Sequence, residues 1–263
     1  MQFMPNRTTL IQIGGFSITW YAICILVGAC FAYLISKYRF KKRNYSVDLS
    51  DYFVYLMFIG IVGARIWYCV FKWNDLYAAN PIDVFKIYEG GLAIQGGLIA
   101  GLIYSVFFFK KNNIPFEVAG DCIMPTVLLA QACGRWGNFF NQEAYGQAIS
   151  EAQINALHLP SFIKEGMYIN GSYYQPTFLY ESVLNIIGCI VIIFIIHKIC
   201  KLHGVEFGSY FIWYGVARFF VESFRSDSLM LGNLKMAQVT SIAFIILGII
   251  IWIYARRKGE KYA

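Results

Sequence analysis

The chain has 263 residues, 58% of them hydrophobic, 18% aromatic and 14% charged, with a mean hydropathy of +0.54. Soluble domains are about 45–50% apolar and about 25% charged, so this balance points to a chain that crosses a membrane repeatedly. The net charge of +7 lies in short clusters between apolar runs and not on one soluble face, which argues against a nucleic-acid partner.

A helix needs about 20 mainly apolar residues to cross a bilayer. Seven stretches qualify: roughly Phe16–Ser36, Asp51–Phe71, Gly91–Phe109, Phe116–Gly137, Pro176–His197, Glu206–Phe224 and Met236–Ala255. The reading is therefore a single all-α polytopic membrane domain over residues 1–263. The first stretch lacks a charged leader and a small-residue cleavage site, so it reads as a retained span and not a cleaved signal. Val27-Gly28-Ala29-Cys30 imitates a lipoprotein processing box, but its positive charges follow the cysteine, so the chain is not expected to be lipidated there.

Basic residues set the orientation, because they are enriched in cytoplasmic loops. Lys37, Arg39, Lys41, Lys42 and Arg43 follow the first span; Lys110 and Lys111 follow the third. Lys198 and Lys201 follow the fifth, and Arg256, Arg257, Lys258 and Lys261 follow the seventh. The other side carries Arg7, Lys72, Lys86, Lys164 and Lys235. This predicts an N-terminus outside and a C-terminus in the cytoplasm. Outside would then lie a loop over residues 72–90 and a longer segment over roughly 138–175. In the latter, Ile154, Leu157, Phe162 and Ile163 suggest either an amphipathic piece on the membrane surface or a plain loop.

Seven cysteines (Cys24, Cys30, Cys69, Cys122, Cys133, Cys189, Cys200) lie mostly in apolar segments and form no C-x-x-C pair. His158, His197 and His203 are scattered. Neither set has metal-ligand or disulfide-framework spacing, so no metal or cofactor is expected.

The densest polar feature is Gly134-Arg135-Trp136-Gly137-Asn138-Phe139-Phe140-Asn141-Gln142-Glu143-Ala144-Tyr145-Gly146, at the end of the fourth span. Charged groups at membrane depth are costly and usually face a cavity, pair together or hold a ligand. With the topology above, Tyr21, Arg65, Gln95, Arg135, Glu181, Arg218, Glu222 and Arg225 all fall in the outer half. Asp121 is the exception and belongs to the cytoplasmic boundary. Arg218 and Glu222, four residues apart, share a helix face and could be no more than a structural ion pair. Arg65 could equally snorkel or cap carbonyls. Arginine's planar fork suits phosphate, so the convergence points to an anionic lipid head group that is either acted on or moved. No Ser-His-Asp or Cys-His arrangement calls for a covalent acyl-enzyme.

The thirteen-residue segment resembles the signature G-R-x-G-N-F-x-N-x-E-x-x-G of the bacterial prolipoprotein diacylglyceryl transferases at every fixed position. The resemblance extends to Trp20-Tyr21, Gly63-Ala64-Arg65, Gly90-Gly91-Leu92, Gln95-Gly96-Gly97-Leu98, Gln175-Pro176-Thr177-Phe178-Leu179-Tyr180-Glu181, Tyr214-Gly215 through Arg218, Glu222, Phe224-Arg225 and Gln238. It implies a seven-span enzyme of the bacterial cytoplasmic (inner) membrane, acting at the outer leaflet. Such enzymes move the diacylglyceryl group of phosphatidylglycerol onto the lipobox cysteine of a preprolipoprotein, forming a thioether and releasing glycerol 1-phosphate. It further implies catalytic roles for Arg135, Arg218, Glu143, Glu222 and Tyr21. Substrate binding would fall to Asn138, Gly146, Glu181, Arg65, Gln95, Asn141 and Arg225. Gln95 and Gln175 stand where the family commonly has histidine, and an amide is no useful base near neutral pH. The thiol proton would then go to Glu143, to Glu181 or to water in the arginine field, or the enzyme would be impaired. Two noncatalytic readings stay open: an anionic-lipid carrier or channel, and a homologue that only binds lipoprotein signal peptides.

Overall fold

Apolar runs bounded by Lys and Arg become helices here, with their non-contacting faces left open. The structure is a computed structural model that describes residues 8–13, 16–87, 90–226, 228–232 and 234–262; Arg7 of the charge census lies outside them. A hairpin, β1 (Thr9–Ile13) and β2 (Phe16–Thr19), leads into α1 (Trp20–Lys42). There follow α2 (Leu49–Phe71), α3 (Ile94–Lys111) and α4 (Phe116–Asn141). A small insert comes next: β3 (Ala148–Ile149), α5 (Glu151–Ala156), α6 (Ser161–Gly166), β4 (Tyr168–Ile169) and β5 (Ser172–Tyr174), its strands ordered β3-β5-β4. Helix α7 (Thr177–Ile190) continues through a π-helical stretch (Val191–Ile196) into α8 (His197–Ile199). Last come α9 (Val205–Ser223), the hairpin β6 (Met230–Leu231) and β7 (Leu234–Lys235), and α10 (Met236–Lys258).

Among the described residues, five helical runs are long and apolar enough to cross a membrane: Trp20–Lys42, Leu49–Phe71, Phe116–Asn141, Thr177–Ile199 and Met236–Lys258. The stretches expected at 91–109 and 206–224 are helical too, as α3 and α9, but the paired lysines of α3 and the three charges of α9 dilute their hydropathy. Exposed Ile242, Ile246, Ile249, Ile250 and Ile253 on α10, and Val54, Phe58, Ile66 and Val70 on α2, would aggregate in water. They suit a lipid surround, and the chain is a helical membrane protein.

Boundaries differ from the sequence reading where local chemistry overrides hydropathy. Residues 16–19 are strand, not helix, because they pair with β1. Helix α4 runs four residues past Gly137, so the first eight residues of the signature are helical. The segment over residues 138–175 is no plain loop, since it carries strands, two short helices and a core of its own. Ile154 and Ile163 are buried with Phe139, Met167 and Phe178 in a small core, whereas Leu157 and Phe162 are exposed.

The chain divides into two compact units. One comprises residues 40–119, the other residues 1–39 and 120–263. In the first, α2 packs along α3 through small residues: a Cβ on Gly63 or Gly96 would strike the opposite backbone. The second holds α1, α4, α7, α9 and α10. There Tyr21 lies against Gly137, and Gly28 against Ala130, which lets α1 and α4 approach closely.

At the start of α9 the second unit is held by a buried ionic cluster. Glu206 and Asp121 are completely buried and Arg39 is 6% exposed. Arg39 pairs with Glu206 and donates to the Asp121 carbonyl at 2.8 Å. Asp121 caps α9, accepting from the Gly204 and Phe207 amides at 2.7 and 2.8 Å. His197 Nδ1 lies 2.9 Å from Glu206, and the Tyr262 hydroxyl donates to Asp121 and Glu206 at 3.0 and 3.1 Å. Asp121 thus lies apart from the arginine site, in a buried ionic cluster with Arg39 and Glu206. Glu206→Ala would strand the Arg39 charge; we expect a loss of about 3–5 kcal/mol, read as a lowered midpoint of thermal or denaturant unfolding in detergent.

Candidate functional site

The last turn of α4 and the turn after it assemble one half of the site. Helix α4 stops at Asn141 because Gln142 adopts a left-handed conformation (φ 51°), as does Ala144 (φ 57°). Such conformations are strained for non-glycine residues and concentrate at functional sites. They turn the chain so that the Glu143 amide donates to the Asn138 carbonyl at 3.1 Å. The Glu143 side chain folds back as well: its Oε1 accepts from Asn138 Nδ2 at 2.9 Å and Asn141 Nδ2 at 3.3 Å. Phe139, between them, anchors this end of the helix in the core of the small insert.

The other half comes from α7 and α9. Glu181, 2% exposed, receives Arg135 from α4 on Oε1 at 2.8 Å and Arg218 from α9 on Oε2 at 2.9 Å. Arg218 turns its second nitrogen to Glu222 at 2.8 Å, one turn along α9, and Arg225 Nε lies 3.9 Å from the same carboxylate oxygen. Arg135 also donates to Asn138 Oδ1 at 3.2 Å. A chain Glu222–Arg218–Glu181–Arg135–Asn138–Glu143 therefore links three helices and the turn. The Arg135 and Arg218 side chains keep 23% and 15% of their surface exposed, while Glu181 and Glu222 keep 3% and 2%. The carboxylates are thus more deeply buried than the two arginines they pair. A guanidinium has five N–H donors, more than the bridging carboxylates engage, so each arginine keeps donors for an anion.

Gly146 earns its place by packing. Its amide donates to the Gln175 carbonyl at 3.0 Å, and it pairs as a bridge with Arg225 while Gln147 donates to the Phe224 carbonyl at 3.0 Å. An added Cβ would sit 2.7 Å from Gln175 Cβ and 3.0 Å from the Phe224 carbonyl oxygen. Gly146 and Gln175 therefore clamp the end of the signature to the end of α9.

Tyr21 opens α1 with its ring on Gly137, one residue before Asn138. Gln95 is exposed in the first turn of α3, within the other unit. Arg65 of that unit realises the carbonyl-capping alternative. Its guanidinium donates to the carbonyls of Val84 (2.9 Å), Asp83 (2.8 Å), Lys86 (3.3 Å), Gly90 (2.7 Å) and Gly91 (3.1 Å). With all three nitrogens so engaged it is a clasp for the 83–91 segment, and the expectation that it grips substrate finds no support in this arrangement. Gly90 and Gly91 have φ of 91° and 74°, and a Cβ on Gly91 would lie 2.6 Å from Arg65 Nη1. One contributor escaped the sequence reading altogether. Lys235 donates to the carbonyls of Glu222 (2.7 Å), Arg225 (3.1 Å) and Ser223 (3.5 Å), closing the C-terminal end of α9. Nothing in its local sequence pairs it with residues 222–225.

Fold and site together define a multi-pass membrane protein with a carboxylate-backed arginine site built from three helices. A family model for prolipoprotein diacylglyceryl transferase matches residues 8–254, and the chain belongs to that family. It is 42% identical over 263 residues to the phosphatidylglycerol–prolipoprotein diacylglyceryl transferase of Halalkalibacterium halodurans, covering 98% of this chain and 90% of that one. It is 45% identical over 250 residues to the enzyme of the same name from Staphylococcus aureus strain Newman, covering 94% of this chain and 88% of the relative.

The Arg65 geometry generates a test. Lysine keeps the charge but offers a single nitrogen that cannot span five carbonyls. Arg65→Lys should speed limited proteolysis within residues 83–91 several-fold; an unchanged cleavage rate would rule out the clasp.

Proposed function

We propose that this chain transfers the diacylglyceryl group of phosphatidylglycerol to a prolipoprotein, at the thiol of its lipobox cysteine. The observation that carries the reading is the Arg135–Glu181–Arg218 bridge inside a chain of this family. In the reaction the thiol sulfur attacks the glyceryl carbon that bears the phosphate. A C–S bond forms, the C–O bond to phosphate breaks, the thiol proton goes to a base, and glycerol 1-phosphate departs. Arg135 and Arg218 hold the phosphate and stabilise the charge that develops on it as it leaves, a contribution typically among the largest in catalysis. Glu181 and Glu222 orient the two guanidinium forks, and Arg225 adds positive charge at the rim. Asn138, Asn141 and Tyr21 shape the surface beside them, and Gly146 keeps the signature seated.

The carboxylates divide the work by their partners. Both oxygens of Glu181 are held by guanidinium groups, so a proton placed there would break an ion pair. Glu143 is exposed, accepts only from two neutral amides through Oε1, and Oε2 carries no hydrogen bond among the described residues. We therefore assign proton removal to Glu143. Neither Gln95 nor Gln175 is needed, and none of the chain's own cysteines takes part.

The chain works as one integral domain. All seven long helical stretches span the bilayer: α9, at 19 residues, is about 28 Å long, close to the hydrocarbon thickness of about 30 Å. The basic loops place the N-terminus outside and the C-terminus in the cytoplasm, with the arginine site at the outer leaflet of the bacterial inner membrane.

Purified protein incubated with phosphatidylglycerol and a lipobox peptide should add a diacylglyceryl mass to the peptide thiol. Arg135→Ala and Arg218→Ala should each abolish that gain while folding is retained; lipid binding without any mass gain in the native protein would favour a carrier. The two glutamates separate kinetically. Glu143→Gln should lower kcat by about 100-fold or more and recover as the pH passes about 8.5, where a free thiol ionises unaided. Glu181→Gln should instead raise the KM for lipid. A Glu143→Gln enzyme with native kcat would exclude Glu143 as the base.

A further inference from the structure

Gly134 opens the signature, yet among the described residues nothing fills the place its Cβ would take. Gly28, Gly120, Gly137, Gly188, Gly208 and Gly215, all inside helices of the same unit, each lie so close to a neighbour that a Cβ would collide. A Cβ on Gly134 would meet nothing within 4 Å among the described residues. Glycine inside a helix is destabilising relative to alanine, so a glycine without a packing reason calls for another one.

Its surroundings supply it. Gly134 shares a face of α4 with Gln131 and Asn138, three residues before it and four after. Gln131 Nε2 donates to the Tyr210 hydroxyl on α9 at 3.2 Å, and Asn138 bonds Arg135 and Glu143. On α9, Tyr210 lies two turns before Arg218, which meets Arg135 at Glu181. The bare stretch of α4 backbone thus lies between a polar contact at one level and the arginine bridge at the next. It is bounded by the same two helices that carry the phosphate-binding forks.

We infer that Gly134 is a specificity-determining residue that leaves room for the glyceryl backbone of the diacyl lipid while Arg135 and Arg218 hold its phosphate. The inference rests on the transferase reading. A phosphate gripped at the forks places the three glyceryl carbons a few bonds away, and a side chain at 134 would occupy that volume.

Gly134→Ala and Gly134→Val test it, assayed for phosphatidylglycerol and peptide kinetics and for thermal unfolding of the full chain. One extra carbon in an apolar subsite changes recognition by about tenfold or more. We expect KM for lipid to rise about tenfold in the alanine variant and further in the valine variant. KM for the peptide should stay unchanged, and the unfolding temperature of the alanine variant should be equal or higher. If glycine served instead to keep α4 flexible, alanine, the stronger helix former, would harm activity more than valine, and that order would overturn the inference. So would native lipid kinetics in both variants, or a lowered unfolding temperature in Gly134→Ala. Native protein inactive on phosphatidylglycerol would sink the transferase reading instead; lipid binding by native protein and Gly134→Ala, compared by native mass spectrometry, still reads the clearance separately.

Discussion

Everything at the site depends on one carboxylate serving two cations. A lone arginine in an apolar helix is expensive, and two on neighbouring helices would repel each other as well. Glu181, between Arg135 and Arg218, answers both problems, because one of its oxygens lies 2.8 Å from Arg135 and the other 2.9 Å from Arg218. A buried pair of this kind gains little net stability over an apolar core. Its value lies in geometry: three helices are locked in register, and two guanidinium forks are fixed on one carboxylate. Such preorganisation lets donors stabilise developing charge without reorienting during the reaction.

The strained turn after α4 adds what the bridge cannot provide. A carboxylate between guanidinium groups is committed to them, so proton transfer needs another carboxylate nearby that is not. Left-handed backbone at Gln142 and Ala144 brings Glu143 back onto Asn138, which also touches Arg135. Asn138 is therefore the joint between the arginine bridge and the Glu143 carboxylate. The core under Phe139 and the clamp of Gly146 against Gln175 and Arg225 hold that joint in place. The small insert, which looks peripheral to a membrane enzyme, is what keeps the turn closed.

Residues that carry charge in apolar surroundings were legible in sequence, because hydropathy makes them conspicuous and spacing puts Arg218 and Glu222 on one face. Helix existence was legible for the same reason. Partnerships across distant segments were not. No local pattern says that Lys235 closes the end of α9 or that Arg65 spends its donors on residues 83–91, since both depend on where a loop returns. Ile154, Leu157, Phe162 and Ile163 form one apolar pattern in sequence, and only the presence of Phe139 and Phe178 beside Ile154 and Ile163 tells which of the four are core. Hydropathy ends the fourth apolar stretch near Gly137, yet a helix ends where its backbone turns, and that happens at Gln142.

Helix α9 carries this logic from one end of the second unit to the other. Its first turn is fixed by Asp121, Glu206 and Arg39, and its last by Arg218, Glu222 and the Lys235 cap. Sixteen residues separate Glu206 from Glu222, about 24 Å of helix. Charged ends and an apolar middle mean the helix cannot slide by a turn without breaking both clusters, so the register of Arg218 against Glu181 is set as much by Glu206 as by the site itself. The remote cluster bears on the site in this sense: it withholds from α9 the freedom that would let Arg218 drift from Glu181. Helix α1 is committed in the same way, with Arg39 paired to Glu206 near one end and Tyr21 against Gly137 of the signature at the other, so it holds α4 and α9 in step along the length of the unit.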